Sequence, residues 1–354
     1  MDRRQNPVVS RRQALPPALD ALLPLAGLVR SISTPEFSGV TFHEVTAKSV
    51  LNKVPSGSNM PFEWTVNPYR GCSHACVYCF ARKSHTYLEF DAGRDFDSQV
   101  VVKINAAEVL RKELAKPSWG TAPPSRPRHQ HGSLSTRRGP LHAHARNHQA
   151  LADSGTPFSI LTKGTLLARD IPPLLKHAAT QVPVDLGISL AMTNQDLAEL
   201  IEPGTPSPKA RLKLIARLRD AGLGCGVMAM PILPWLTDSD EALDSLFAEL
   251  TKAGATGVTA GALYLKPGTR EWFMKWLATE HPELVGKYRR LYGQGSYASK
   301  EYRAWLTGRI TYFKAKYGFT GTSGFSHRNA RTATGSAAAT VDASAPLPGQ
   351  QPLF

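Results

Sequence analysis

The sequence predicts a parallel α/β protein, and two observations carry that prediction. Between about residues 62 and 265, short apolar runs of strand length alternate with amphipathic stretches of helix length. βαβ units with right-handed crossovers generate that alternation. Two of the helical stretches, 208–222 and 239–254, also start on Ser, Asp or Pro and end on Gly, the residues that cap helices at those ends.

Taken in order, residues 1–20 lack periodicity and read as a flexible N-terminal arm. FEWTV (62–66) reads as the first strand, and AAEVLRKELA (106–115) as a helix with Val109, Leu110 and Leu114 on one side. FSILT (158–162) is a strand, followed by a helix near IPPLLKHAAT. DLGISLA (185–191) is the next strand, and PKARLKLIARLRDAG (208–222) a helix running from Pro208 to Gly222. GVMAMPIL (226–233) reads as a buried strand, with Met228 and Met230 as core. SDEALDSLFAELTKAG gives a capped helix, and TGVTAGALYL (256–265) a further strand. The expected organisation is an arm over 1–20, a core over 21–265, a helical C-terminal part over 266–327 and a disordered tail over 328–354. In such folds the chemistry sits on loops at the carboxyl ends of the strands.

With 354 residues and 42% apolar content, the chain can bury an ample core. No apolar run is long enough to span a bilayer, so no membrane association is expected. RRQALPPALDALLPLAGLVR imitates a signal peptide loosely, but Asp20 and three prolines interrupt it. Four cysteines in a chain of this length are no disulfide framework, and a cytoplasmic location is expected. The net charge of +14 invites a nucleic-acid reading. Five of those charges come from Arg126, Arg128, Arg137, Arg138 and Arg146, and the first 35 residues add a further arginine excess. The remaining balance is compatible with a nucleic-acid substrate without requiring one.

The most informative motif is NPYRGCSHACVYCF, which places Cys72, Cys76 and Cys79 in C-x3-C-x2-C spacing. Three thiolates on one short loop can hold three corners of a cubane iron–sulfur cluster and leave the fourth iron open. An open metal position is where chemistry happens, whereas structural sites are closed. The fourth cysteine, Cys225, lies about 150 residues away without a spaced partner, no later C-x2-C pair completes a zinc site, and the H-x3-H spacing of His144 and His148 falls in a polar stretch over 120–149.

Those cysteines, Tyr78 before the third of them, and the flanking FEWTVNPYRGC, CFARKSHTYLEF, ILTKGTLLARD and IEPGTPSPKARL resemble the radical S-adenosylmethionine (SAM) superfamily. The nearest branch is the one that includes spore photoproduct lyase and its uncharacterised relatives. The resemblance covers roughly residues 21–325. It implies a partial (βα)6 barrel of TIM type, a 4Fe–4S cluster on Cys72, Cys76 and Cys79, and SAM on the remaining iron. It further implies that Tyr78 lies near the adenine, that Lys163 contacts the SAM carboxylate or the substrate, and that Ser189 and Glu202 fix the ribose. SAM, a flavodoxin- or ferredoxin-type electron donor and a nucleic-acid substrate are the partners it suggests. Arg211 could pair with the SAM carboxylate, although one helix arginine among many is usually solvated. His85 and Tyr87 match the family's text or serve packing equally, and Cys225 reads as a small buried hydrophobe. The resemblance names no further catalytic residue. Two alternatives stay open: a non-catalytic iron–sulfur or zinc module on the same cysteines, and an inactive relative of the family.

Residues 120–149 break the pattern. TAPPSRPRHQHGSLSTRRGPLHAHARNHQ has almost no apolar content where a second strand and helix are required. His129, His131, His142, His144 and His148 suit low-complexity sequence as well as metal ligation. Relatives carry GTNTDPYQ at this point. Arg128 to Ser135 can be encoded CGG CAC CAA CAC GGA TCC CTA TCA, followed by the A of Thr136. Shifted by one nucleotide, that string spells GTNTDPYQ, and the pattern resumes at Ala150 in ALADSGTPFSILTKG. Paired frameshifts over 118–150 account for this, and they would remove a motif expected to hold the SAM methionine moiety. Resequencing the gene between codons 115 and 152 is expected to find two compensating changes of frame; an intact frame removes the idea.

Overall fold

The computed structural model describes residues 25–55, 62–120, 128–131, 143–178 and 184–319. Its strands are β1 (Leu28–Ser33), β2 (Thr41–Val45), β3 (Leu51–Lys53), β4 (Trp64–Val66), β5 (Tyr69–Arg70), β6 (Gln99–Lys103), β7 (Arg128–His131), β8 (Phe158–Thr162), β9 (Val184–Ser189), β10 (Cys225–Ile232) and β11 (Gly257–Ala262). Seven form one sheet in the order β11-β10-β9-β8-β7-β4-β3. β4 and β7 to β11 are parallel neighbours in sequence order, and β3 adds antiparallel to β4. Six parallel strands in an open sheet are the partial (βα)6 arrangement expected from the sequence. The sheet does not close on itself, because β3 and β11 are its two edges.

Burial on both faces explains the continuous apolar runs. Every residue of β8 is buried, and Ile188, Val227, Ala229 and Val258 are solvent-free. The helix Pro208–Asp220 covers this sheet with Leu214, Ile215 and Leu218, and the helix Asp240–Ala253 with Leu243, Leu246, Phe247 and Leu250. Ser207 Oγ accepts from the Ala210 amide at 3.2 Å and Ser239 Oγ from the Ala242 amide at 3.2 Å. These caps satisfy amides that the first turn leaves free.

The sequence reading missed the smaller sheet, β1-β2-β6-β5. β5 is two residues long, and its partner β6 lies about thirty residues further on. Its hydrophobic cluster is correspondingly small, built on Phe42, Val100 and Val102. No local period announces such a pairing.

Three helices, Thr269–Glu280, Pro282–Tyr292 and Lys300–Lys316, form the C-terminal part. Tyrosine hydroxyls pin it to the carboxyl ends of the last two strands. Tyr288 donates to the Pro234 carbonyl at 2.9 Å, Tyr292 to the Leu263 carbonyl at 2.8 Å, and Tyr302 to Asp238 Oδ2 at 2.8 Å. Among the described residues, no helix is long and apolar enough to cross a membrane. The expected arm over 1–20 and tail over 328–354 lie outside them.

Within the anomalous segment, β7 fills the gap between β4 and β8, with Thr65 opposite His129 and Arg128 opposite Phe158. The helix Ala143–Asp153 follows it. The required strand and helix are therefore present, built from unsuitable residues. Asn147 is fully buried and neither amide atom has a partner. His142 lies outside the described residues, as do the side chains of His129, His131 and His144. His148 is buried with Nδ1 3.8 Å from Asp170 Oδ2. A buried, unpaired amide costs about 1–3 kcal/mol. Asn147→Leu is therefore expected to raise stability by about that amount, read as a higher midpoint in urea unfolding.

Candidate radical and cofactor site

The cysteine loop runs from β5 across the carboxyl end of the larger sheet. Gly71 enters it at φ +84°, where a Cβ would lie 2.9 Å from the Gln99 carbonyl and from the His85 ring, so only glycine fits. Two tight turns then space the cysteines: the Ala75 amide donates to the Cys72 carbonyl at 3.2 Å, and the Cys79 amide to the Cys76 carbonyl at 3.2 Å. Cys76 is buried and Cys72 and Cys79 are half-buried, and none of the three is in a disulfide.

The body of the protein clamps this loop at several points. The Val77 amide donates to the Ile201 carbonyl at 3.0 Å, and the Gly204 amide to the His74 carbonyl at 3.0 Å. At Gly204 the backbones approach so closely that a Cβ would collide with the Ser73 carbonyl oxygen. Thr269 donates its hydroxyl to the Cys79 carbonyl at 2.9 Å. Arg82, fully buried, donates to the Cys76 carbonyl at 2.9 Å and to the Gly93 carbonyl at 2.8 Å. The same guanidinium meets both oxygens of Asp97 at 2.9 and 3.0 Å and lies against the Phe96 and Trp272 rings. Burial pushes the Asp97 carboxyl up to about 6, against the pull of Arg82.

The chemistry of the donor set fits an iron–sulfur cluster. Burial, with Glu202 next, pushes the Cys76 thiol well up, and burial raises Cys79. Such thiols would lose their protons to solvent on binding a metal, whose charge compensates the thiolates. Among the described residues, no three His, Cys, Asp or Glu side chains gather tightly enough to hold a single metal ion. Each thiolate of a cubane bonds a different iron, so its ligands stand further apart than those of one ion.

The structure brings Tyr78, Lys163, Ser189 and Glu202 together. Lys163 follows β8 and Ser189 ends β9, so both reach the same carboxyl edge. Lys163 Nζ donates to Tyr78 Oη at 3.0 Å, to Ser189 Oγ at 2.8 Å and to Glu202 Oε1 at 2.9 Å. Tyr78 donates its hydroxyl to the same Glu202 oxygen in a short contact. Arg211 corrects the sequence expectation: it is fully buried, 2.8 Å from Glu202 Oε2, and donates to the Ser189 carbonyl at 2.9 Å. An arginine among arginines gives no sign of this, but Arg211 lies three positions after Pro208, on the turn that faces Glu202. Burial by itself would raise the Glu202 carboxyl, yet Lys163 and Arg211 hold it down at about 2. Burial and then Lys163 push the His74 imidazole down to about 4.

Other candidates fall elsewhere. Cys225 starts β10, at the end of the sheet away from these loops, and burial pushes its thiol up to about 12. His85 packs between Phe90 and Phe96, with Nε2 2.7 Å from the Gln99 carbonyl. Tyr87 is 82% exposed rather than packed. Met228 and Met230, read as core, are half-buried and alternate with the fully buried Val227 and Ala229. They lie on the other face of β10, where Met228 pairs in register with Ser189.

The raised acidity of the carboxyl, held at about 2, stabilises the fold above its unfolded value near 4.5. That stabilisation is expected to fade as pH falls from about 4.5 toward 2, and Glu202→Gln is expected to flatten unfolding midpoints between pH 6 and pH 3.5. Equal acid sensitivity in both proteins counts against the network.

A family model described as the radical SAM superfamily matches residues 66–247. An uncharacterized protein of Mycobacterium tuberculosis is 51% identical over 324 residues, covering 90% of this chain and 92% of its own. Among solved structures, a cysteine-to-serine mutant of spore photoproduct lyase superposes with a TM-score of 0.60 at 16% identity, over 79% of this chain and 80% of its own. A spore photoproduct lyase double mutant with bound AdoMet and dinucleoside spore photoproduct superposes at 0.52 with 15% identity, over 77% of each chain.

Proposed function

We propose that this chain, which belongs to the radical SAM superfamily, binds a 4Fe–4S cluster through Cys72, Cys76 and Cys79 and cleaves SAM reductively. The chemistry such a cluster supplies when bound is one electron to the SAM sulfonium, yielding methionine and a 5′-deoxyadenosyl radical that takes hydrogen from a substrate. The protein's part is binding, orientation and exclusion of water.

The observation that carries this reading is the junction of the cysteine loop with a buried cationic site. Lys163 and Arg211 face one carboxylate, Glu202, beside a Tyr78 phenol that burial and Glu202 keep protonated. Depressed basicity keeps the His74 imidazole neutral at pH 7. One positive charge is therefore left over in a dehydrated place, where an anion is strongly favoured. The SAM carboxylate supplies that anion. Arg211 holds Glu202 in place while Lys163, the more exposed of the two cations, turns toward the ligand. Ser189 and Glu202 offer oxygens to the ribose hydroxyls. A flavodoxin- or ferredoxin-type protein supplies the electron. A nucleic-acid substrate is the class favoured by the fold comparison, since a neighbouring structure holds a dinucleoside photoproduct. Reduced thiols and an oxygen-sensitive cluster suit the cytoplasm.

A second reading rests on Asn147 and the polar composition of residues 120–149. Paired frameshifts there leave a chain that keeps its cluster loop and has lost part of its SAM site.

Anaerobic reconstitution followed by dithionite reduction with SAM tests both readings. Bound iron and sulfide with 5′-deoxyadenosine release is expected, and Cys76→Ala is expected to abolish both. A chain that binds the cluster without cleaving SAM, but cleaves once its reading frame is repaired, establishes the second reading. One tightly held zinc and no sulfide overturns both.

A further inference from the structure

At the same end of the sheet, two residues past β11, the chain carries an exposed aromatic pair that the chemistry above does not use. Tyr264 is 36% exposed and Tyr297 61% exposed. They form an isolated antiparallel bridge, with ring centroids 4.6 Å apart. Large aromatic rings are normally buried, so two left together in solvent mark a surface with an occupant.

The pair is held rigidly. The Leu265 amide donates to the Ser296 carbonyl at 2.8 Å, Arg270 donates to the Gly295 carbonyl at 3.0 Å, and a second Arg270 nitrogen meets the Gly293 carbonyl. Rings fixed before binding lose little freedom on binding.

The pair is also flanked by cations. Arg303 lies 5.5 Å from the Tyr297 ring centroid and donates to the Ala298 carbonyl at 3.0 Å. Arg303 and Lys300, with Ala304 and Thr307, line an open depression of about 520 Å³ on one face of the helix Lys300–Lys316. Their spacing of three, four and seven residues makes that face continuous. The neighbouring acid, Glu301, lies about a quarter-turn round the helix from Lys300.

Aromatic faces interleaved with cations suit unpaired nucleotides, whose bases stack while their phosphates pair with Arg and Lys. We propose that Tyr264 and Tyr297, with Arg303 and Lys300, form a stacking platform that holds an unpaired nucleic-acid strand at the rim of the radical site. This deepens the substrate class named above and rests on the reading of that end of the sheet as the radical site. An acidic protein would meet the cations but gains less from two exposed ring faces, tilted 39° to each other.

The test uses the full chain, cluster reconstituted, with a short fluorescein-labelled oligothymidylate at low salt, read by anisotropy. Tyr297→Ala is expected to weaken binding about tenfold, while Tyr297→Phe, which keeps the ring, binds as wild type. Arg303→Gln is expected to lower the slope of log affinity against log salt by about one. SAM cleavage is measured on the same preparations, so the two proposals can fail separately. A protein that cleaves SAM yet binds no oligonucleotide, or binds it equally well as Tyr297→Ala, overturns the platform and leaves the activity standing. Binding through Tyr297 without SAM cleavage supports the platform and overturns the activity. Displacement by polyglutamate at matched ionic strength, with Tyr297→Ala unchanged, assigns the surface to an acidic protein and overturns the platform.

Discussion

One buried carboxylate organises the functional end of this protein. Glu202 receives Lys163, Arg211 and Tyr78 in a space that solvent does not reach. An ionised group in such a place is sustained only by full pairing. Each partner arrives from a separate part of the fold: a cysteine loop, a strand end and a helix. The carboxylate thus converts the parallel order of the strands into a site, and losing it leaves Lys163 and Arg211 as uncompensated charges.

The same stretch of chain also shapes the cysteine loop. Glu202 is two residues from Gly204, whose amide and missing side chain let the loop settle on its backbone. Ionic site and thiol trio are therefore set by one short segment, IEPG, and cannot shift independently. On the far side Arg82 holds the loop to the segment Gly93–Asp97 that leads into β6, and Thr269 holds it to the C-terminal helices. Packing fixes geometry here, and charge decides what the geometry attracts.

Much of this was legible in the sequence. The strand-helix alternation and its caps describe the larger sheet correctly, because its central strands are largely buried and the covering helices bury one face. Tyr78, Lys163, Ser189 and Glu202 converge as the motifs implied. Arg211 was not legible, since burial of one arginine among many is decided by tertiary contacts. The smaller sheet was equally hidden, because its pairings join residues far apart along the chain. β7 shows the opposite case: a place in a parallel sheet is defined by its neighbours' free backbone groups, so even a poor sequence can be drawn into it, with Asn147 registering the misfit in the helix that follows.

The anchoring of the cysteine loop on Ile201 and Gly204, more than a hundred residues away, has a consequence for biogenesis. Its conformation depends on contacts with the later part of the chain. The three thiols therefore reach their mutual spacing only once the polypeptide has been made through Gly204 and that segment has packed against them, so this end of the molecule matures late.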